Sequence, residues 1–164
     1  MSSSDRRTVL ILLAGAPLAA CGFTPAFAPG GPAAALRDSI RPDDPTDKNG
    51  FDLVTEFEAR LGHAPTPRYR LRYSIATSTT GVGITTSNAI TRYDVTGKAS
   101  YTLSDAATDK ELTSGIASSF TSYSAAGTPV STLTDEADAN TRLMTILADQ
   151  IVTQLVAASG SFLK

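Results

Sequence analysis

The chain has 164 residues, with 14 Lys and Arg against 16 Asp and Glu, one histidine, one cysteine and no tryptophan. Its length suits a single domain, and the slight acidity excludes the basic balance expected of a nucleic-acid binder. A single cysteine excludes an intramolecular disulfide, so the fold must rest on an apolar core.

Met1–Arg7 is a polar leader ending in Arg6 and Arg7, and Val9–Ala20 carries no charge. A basic start, a short apolar run and small residues before a cut make a secretory signal. The run is too short to span a hydrocarbon core, which needs about 20 apolar residues. It closes as Leu18-Ala19-Ala20-Cys21 on the lone cysteine. That tetrapeptide resembles the lipobox of bacterial lipoproteins, which implies that residues 1–20 are removed and that Cys21 becomes a diacylglycerol-modified, N-acylated first residue. Two or more acyl chains, at about 0.8 kcal/mol per buried methylene, hold a protein on a membrane, whereas one binds reversibly. The other reading of Cys21 is a small buried hydrophobe, but a core cysteine has no need of the leader before it. Arg6-Arg7 leaves both the general and the twin-arginine export routes open.

Pro25, Pro29 and Pro32 with Gly22, Gly30 and Gly31 predict an extended tether over residues 21–34, because proline lacks the donor that ladders require. The domain is expected over 35–164. A first strand is expected over Ala35–Arg41, then a turn at Pro42–Asp47. Asp47 is placed to cap a helix over Lys48–Leu61, with Phe51, Val54, Phe57 and Leu61 as its apolar stripe and Gly62 at its end. Arg68–Ile75 alternates basic or polar with apolar residues and predicts a strand burying Tyr69, Leu71, Tyr73 and Ile75. Thr77–Asn88, nearly all Ser, Thr and Gly, reads as a hairpin tip. A second strand is expected over Ala89–Leu103, with Tyr93, Val95, Ala99, Tyr101 and Leu103 on one face. A third is expected over Glu111–Tyr123, with Leu112, Ile116 and Phe120 on its apolar face. Thr134 is placed to cap a last helix running to Ala158, in which Leu143, Leu147, Ile151 and Leu155 recur at i+4.

The order β-α-β-β-β-α behind a tether is a small α+β domain. Cys21-Gly22-Phe23-Thr24-Pro25, with the aromatic Phe27 close behind, is similar to the mature start of the lipopolysaccharide-assembly lipoproteins of the LptE type, in particular their alphaproteobacterial form. The resemblance extends through the order of elements over nearly the whole mature chain. It implies a two-layer α+β sandwich, with two helices packed on a four-stranded, mostly antiparallel sheet. It also implies a non-enzymatic subunit that plugs the outer-membrane β-barrel of the lipopolysaccharide translocon, helps that barrel assemble and aids passage of lipopolysaccharide to the outer leaflet. Contact with lipopolysaccharide itself is left open, since the loop over Thr77–Asn88 lacks the basic residues that the family tends to place at its lipid-facing loops.

The residues carry little catalytic chemistry. His63 stands beside Gly62, Ala64 and Pro65 without a second histidine or a cysteine to complete a metal set, and no nucleophile elbow, phosphate-binding loop or dinucleotide fingerprint occurs. A hydrolase would need a pocket bringing His63 to a serine or a carboxylate. No cofactor or metal is expected. Binding is: Arg68, Arg70, Arg72, Arg92 and Lys98 are expected on one sheet face, able to meet phosphates or carboxylates, or else merely to keep a solvated sheet soluble. Gly22 after Cys21, in place of an inner-membrane-retaining aspartate, points to the periplasmic side of the outer membrane. A peripheral outer-membrane lipoprotein serving another envelope transport machine is the alternative function.

Overall fold

The computed structural model describes residues 28–86, 89–125 and 127–163; Cys21, with the signal and lipidation readings, lies outside them. In chain order the elements are α1 (Pro32–Leu36), β1 (Ile40–Pro42), α2 (Lys48–Leu61), β2 (Tyr69–Ile84), β3 (Ile90–Asp105), β4 (Glu111–Ser124) and α3 (Pro129–Ala158), followed by a 3-10 turn at Ser159–Ser161. The sheet order is β1-β2-β3-β4, with β1 parallel to β2 and the other pairings antiparallel. This is the expected α+β sandwich: one layer of sheet, mostly antiparallel, and one of two long helices.

Local chemistry sets the boundaries of α2. The Asp47 carboxylate accepts a hydrogen bond from the Gly50 N–H at 2.7 Å, satisfying one of the helix's orphan donors. Gly62 ends the helix at φ 82°, and a Cβ there would lie 1.9 Å from Asp38 Oδ1. Conformation and space therefore both demand glycine. The buried stripe is Gly50, Leu53, Phe57 and Leu61, whereas Phe51 is 60% exposed. The expected stripe was rotated at its first turn, because the close approach to β2 is made through the small Gly50, where a Cβ would stand 3.1 Å from the Tyr73 hydroxyl.

The strand expected over Ala35–Arg41 is instead α1 followed by the short β1. Pro32 and Ala33, which the composition placed in the tether, open α1, and Ala33 and Leu36 are buried. Proline at the first helical position gives up only a donor that has no partner there. The same rule moves the start of α3. It is capped by Thr128, whose hydroxyl accepts from the Ser131 N–H at 3.3 Å, and Pro129 stands at its start, so the helix begins before Thr134. The tip expected over Thr77–Asn88 is mostly strand, since β2 continues to Ile84 in register with β3. Its β-branched threonines suit a pleated ladder; register shifts accompany Gly81 and Gly83.

The core lies between sheet and helices. Leu143, Leu147, Ile151 and Leu155 of α3 have no exposed surface and meet Leu71, Ala99, Leu103, Phe57 and Leu53 in one apolar cluster. α3 contains an 18-residue stretch apolar enough to cross a membrane by length and composition, but its buried face is spent on this core. Two polar clamps tie α2 to α3. Arg60 donates to Asp149 and to Glu56, and Thr141 donates to Asp52 at 2.8 Å.

Candidate ligand and partner face

One face of the sheet is covered by helices and the other is open. Along β2 and β3 the parity is as expected: Tyr69, Leu71, Val95, Ala99, Tyr101 and Leu103 point inward and are buried, while Arg70, Arg72, Arg92 and Lys98 are exposed. On β4 Leu112 packs against the core as expected, but beyond the register shift at the start of the strand the parity is reversed. Ala117 and Tyr123 are buried, whereas Ile116 is 53% and Phe120 63% exposed. Ile116 and Phe120 face outward because the inward row beside Gly115 and Ala117 lies too close to Tyr101 and α3 to admit a large side chain, whereas Tyr123, near the end of the strand, packs inward on Tyr93. A Cβ at Gly115 would stand 2.7 Å from the Tyr101 hydroxyl and one at Gly97 2.8 Å from Leu143 Cδ2, so the row beneath the helix is filled by small residues.

The structure does not gather the five cations into one clamp. Arg70 Nε donates to Asp43 Oδ1 at 2.6 Å and Arg72 Nη2 to Asp109 Oδ1 at 2.5 Å. The Arg72 hydrogen bond, with its charge, holds the Asp109 carboxyl below the usual carboxylate range. Arg68, just before β2, lies with its guanidinium 5.2 Å from the centroid of the Tyr69 ring. Arg92 donates to Ser122 Oγ at 3.0 Å and lies 3.6 Å from the Asp94 carboxylate. The four arginines are therefore spent locally, three on carboxylates and one on a ring. Exposed pairs of this kind contribute little to stability, because solvent and salt screen them.

Lys98 differs. It stands in register between Ala76 of β2 and Ser118 of β4, and among the described residues it has no ion-pair partner. Arg72 is four residues along β2 from Ala76, or roughly 13 Å away, and Arg92 is six residues along β3, or roughly 20 Å. Lys98 thus sits alone in the middle of the open face, in a shallow depression of about 530 Å³ that Ser78, Thr96, Ser118 and Phe120 also line. The depression thus brings together one ammonium, several hydroxyls and one exposed ring. The sequence placed Lys98 here correctly and put Phe120 on the wrong side. Three small residues at odd positions of β4, Gly115, Ala117 and Ser119, were the available sign.

His63 is exposed, and its Nδ1 lies 2.8 Å from Glu58 Oε1. The carboxylate half of a hydrolytic arrangement is therefore present. Among the described residues no hydroxyl or thiol is paired with the ring, and the contact joins the last turn of α2 to the residue after its cap. No cluster of three or more His, Cys, Asp or Glu side chains among the described residues is arranged to hold a metal.

The lipopolysaccharide-assembly (LptE) family model matches residues 34–155. No curated protein matches the chain by sequence. Among solved structures, the fold is similar to a candidate lipoprotein from Caulobacter crescentus at TM-score 0.66 and 17% identity, over 78% of this chain and 96% of that one. It is similar to rare lipoprotein B from Shewanella oneidensis at TM-score 0.57 and 10% identity, over 77% and 98%. It is also similar to a minor lipoprotein from Acinetobacter baumannii at TM-score 0.54 and 15% identity, over 73% and 89%. At these identities the likeness is one of fold.

Proposed function

Because this chain belongs to the lipopolysaccharide-assembly (LptE) family, we propose that it is a non-enzymatic lipoprotein of the outer membrane that seats in the lipopolysaccharide-assembly β-barrel as plug and assembly aid. The observation that carries this reading is the family match, which runs from α1 nearly to the end of α3 and so takes in the whole sandwich. The lipobox at Leu18–Cys21 supports an anchor at Cys21 on the periplasmic side, with residues 1–20 as signal and the segment from Cys21 to Ala34 as tether and entry to the domain. The chain enters the sandwich beside Ser39, whose carbonyl accepts the Tyr69 N–H. The β2–β3 turn is at the far end of a strand of 16 residues, roughly 50 Å away. A lipid at Cys21 therefore tethers the end of the sandwich opposite the hairpin and leaves the hairpin free for the barrel.

The open sheet face is the part of the domain suited to a partner. Arg68, Arg70, Arg72 and Arg92 keep its ends soluble through local pairs. Lys98 with Phe120 offers the cationic and apolar contacts that a lipid A phosphate beside an acyl chain, or a barrel-wall carboxylate beside an apolar residue, would use.

The test is a mild-detergent pull-down of the tagged, lipidated chain from its own outer membranes, with bound proteins identified by mass. A large β-barrel recovered at one-to-one stoichiometry is the expected result, and Lys98→Glu is expected to reduce that recovery. Recovery of a different envelope complex overturns the barrel assignment in favour of an accessory role elsewhere.

A further inference from the structure

We propose that the outer edge of β4 is a strand-pairing surface fitted to a second copy of this chain, and that Gln150 and Gln154 of α3 hold it closed. The Ser118 N–H donates to Gln150 Oε1 at 3.0 Å, and Gln154 Nε2 donates to the Ile116 carbonyl at 3.1 Å. The Tyr101 hydroxyl donates to Gln154 Oε1 at 2.9 Å and fixes that amide. Further along, Arg142 Nη2 donates to the Ser122 carbonyl at 3.3 Å. All the capped groups belong to even-numbered residues. In an antiparallel strand both backbone groups of a residue point to the same side, so the even row of β4 points away from β3.

Natural sheets blunt an open edge with charge, proline, a bulge or shortness. β1 uses two of these: it has three residues and ends on Pro42. The free part of β2 is bent by the register shifts at Gly81 and Gly83. β4 has fourteen residues and, from Leu112 to Ser124, no charge and no proline. Among the described residues, side chains from α3 occupy its edge between Ile116 and Ser122.

The outward row is self-complementary. Two copies of β4 paired antiparallel about Ser118 set Ile116 of each against Phe120 of the other on the open face, and Ser114 against Ser122. Both apolar residues, exposed in the single chain, gain a cross-strand partner. The pairing has a two-fold axis and closes at two copies. The pairing requires the two glutamine side chains to rotate away and Arg142 to release the Ser122 carbonyl.

The experiment uses the full chain in detergent, followed by sedimentation from low micromolar to sub-millimolar concentration. Gln150→Ala/Gln154→Ala is expected to move the mass from one chain to two as concentration rises, with the parent chain remaining single. Adding Phe120→Lys is expected to return the variant to one chain. With Cys21→Ala leaving no other cysteine, Ser118→Cys in the glutamine-less chain is expected to form an inter-chain disulfide on mild oxidation, since directly opposed residues of a hydrogen-bonded pair lie about 5.5 Å apart. Gln150→Ala alone frees the Ser118 N–H while Gln154 still covers the Ile116 carbonyl, and should the double variant unfold it is expected to pair at the top of the concentration range, above the parent chain. A folded glutamine-less chain that stays single throughout, or one that grows into larger assemblies without the Ser118→Cys crosslink, overturns the proposal.

Discussion

Gly97 of β3 lies beneath Leu143 of α3 with so little room that a Cβ at position 97 would stand 2.8 Å from Leu143 Cδ2 and 3.2 Å from Leu147 Cδ1. The helix is held against the sheet at a glycine. Gly97→Val should therefore destabilise the domain by about 1–3 kcal/mol, the usual cost of overpacking a filled core. Valine is otherwise the better strand residue. A urea midpoint that rises in the variant would show that α3 does not bear on this site.

Leu147 has no exposed surface and belongs to the apolar cluster shared by α3, α2 and the sheet. Leu147→Ala should cost about 2–5 kcal/mol as a cavity substitution. Leu147→Asp should abolish the cooperative transition, because an unpaired carboxylate under the helix costs more than the alanine cavity and small domains hold only about 5–15 kcal/mol in total. Loss of near-ultraviolet dichroism at neutral pH checks the second variant, and an unchanged thermal midpoint in either would contradict the packing described.

Asp109 is held below the usual carboxylate range by the hydrogen bond and charge of Arg72, and this pair joins the turn after β3 to β2. A depressed folded-state pKa means that the contribution to stability is present above the unfolded value of about 3.9 and disappears as pH falls through the folded one. Asp109→Asn retains a residue tolerant of its left-handed φ of 56°. It should lower the thermal midpoint at pH 7, and the difference from the parent should close as pH drops below about 4. A constant difference down to pH 2 would remove the ion pair as its cause.

Cys21→Ala should release a folded domain into the soluble periplasmic fraction, since every buried core residue described lies after Pro32. Membrane fractionation decides it. A variant that remains fully anchored would sink the lipidation reading.

Much of this protein was legible in its residues, and the places where reading failed share a cause. Asp47 and Gly62 bounded α2 correctly because caps and positive-φ glycines are local chemistry. Leu143, Leu147, Ile151 and Leu155 identified the buried stripe of α3 because one stripe of leucine and isoleucine at i+4 has a single packing solution. Pro32 and Pro129 misled because proline reads as a breaker in sequence and serves as a helix starter in context. The run from Thr77 to Ile84 misled because Ser, Thr and Gly read as loop until a neighbouring strand fixes their register.

The sequence by itself determined the class of the domain, the caps of α2, the alternation of β2 and β3, the outward placement of Lys98 and the family resemblance. Each follows from residues near one another in the chain. Only the tertiary structure decided which face of β4 is buried and that the arginines are individually paired. It alone showed that Gln150 and Gln154 cover a sheet edge. These depend on how closely α3 approaches the sheet at Gly97 and Gly115 and on which loops bring Asp43 and Asp109 to β2. Distances between segments far apart in sequence are set by packing, and no local pattern encodes them.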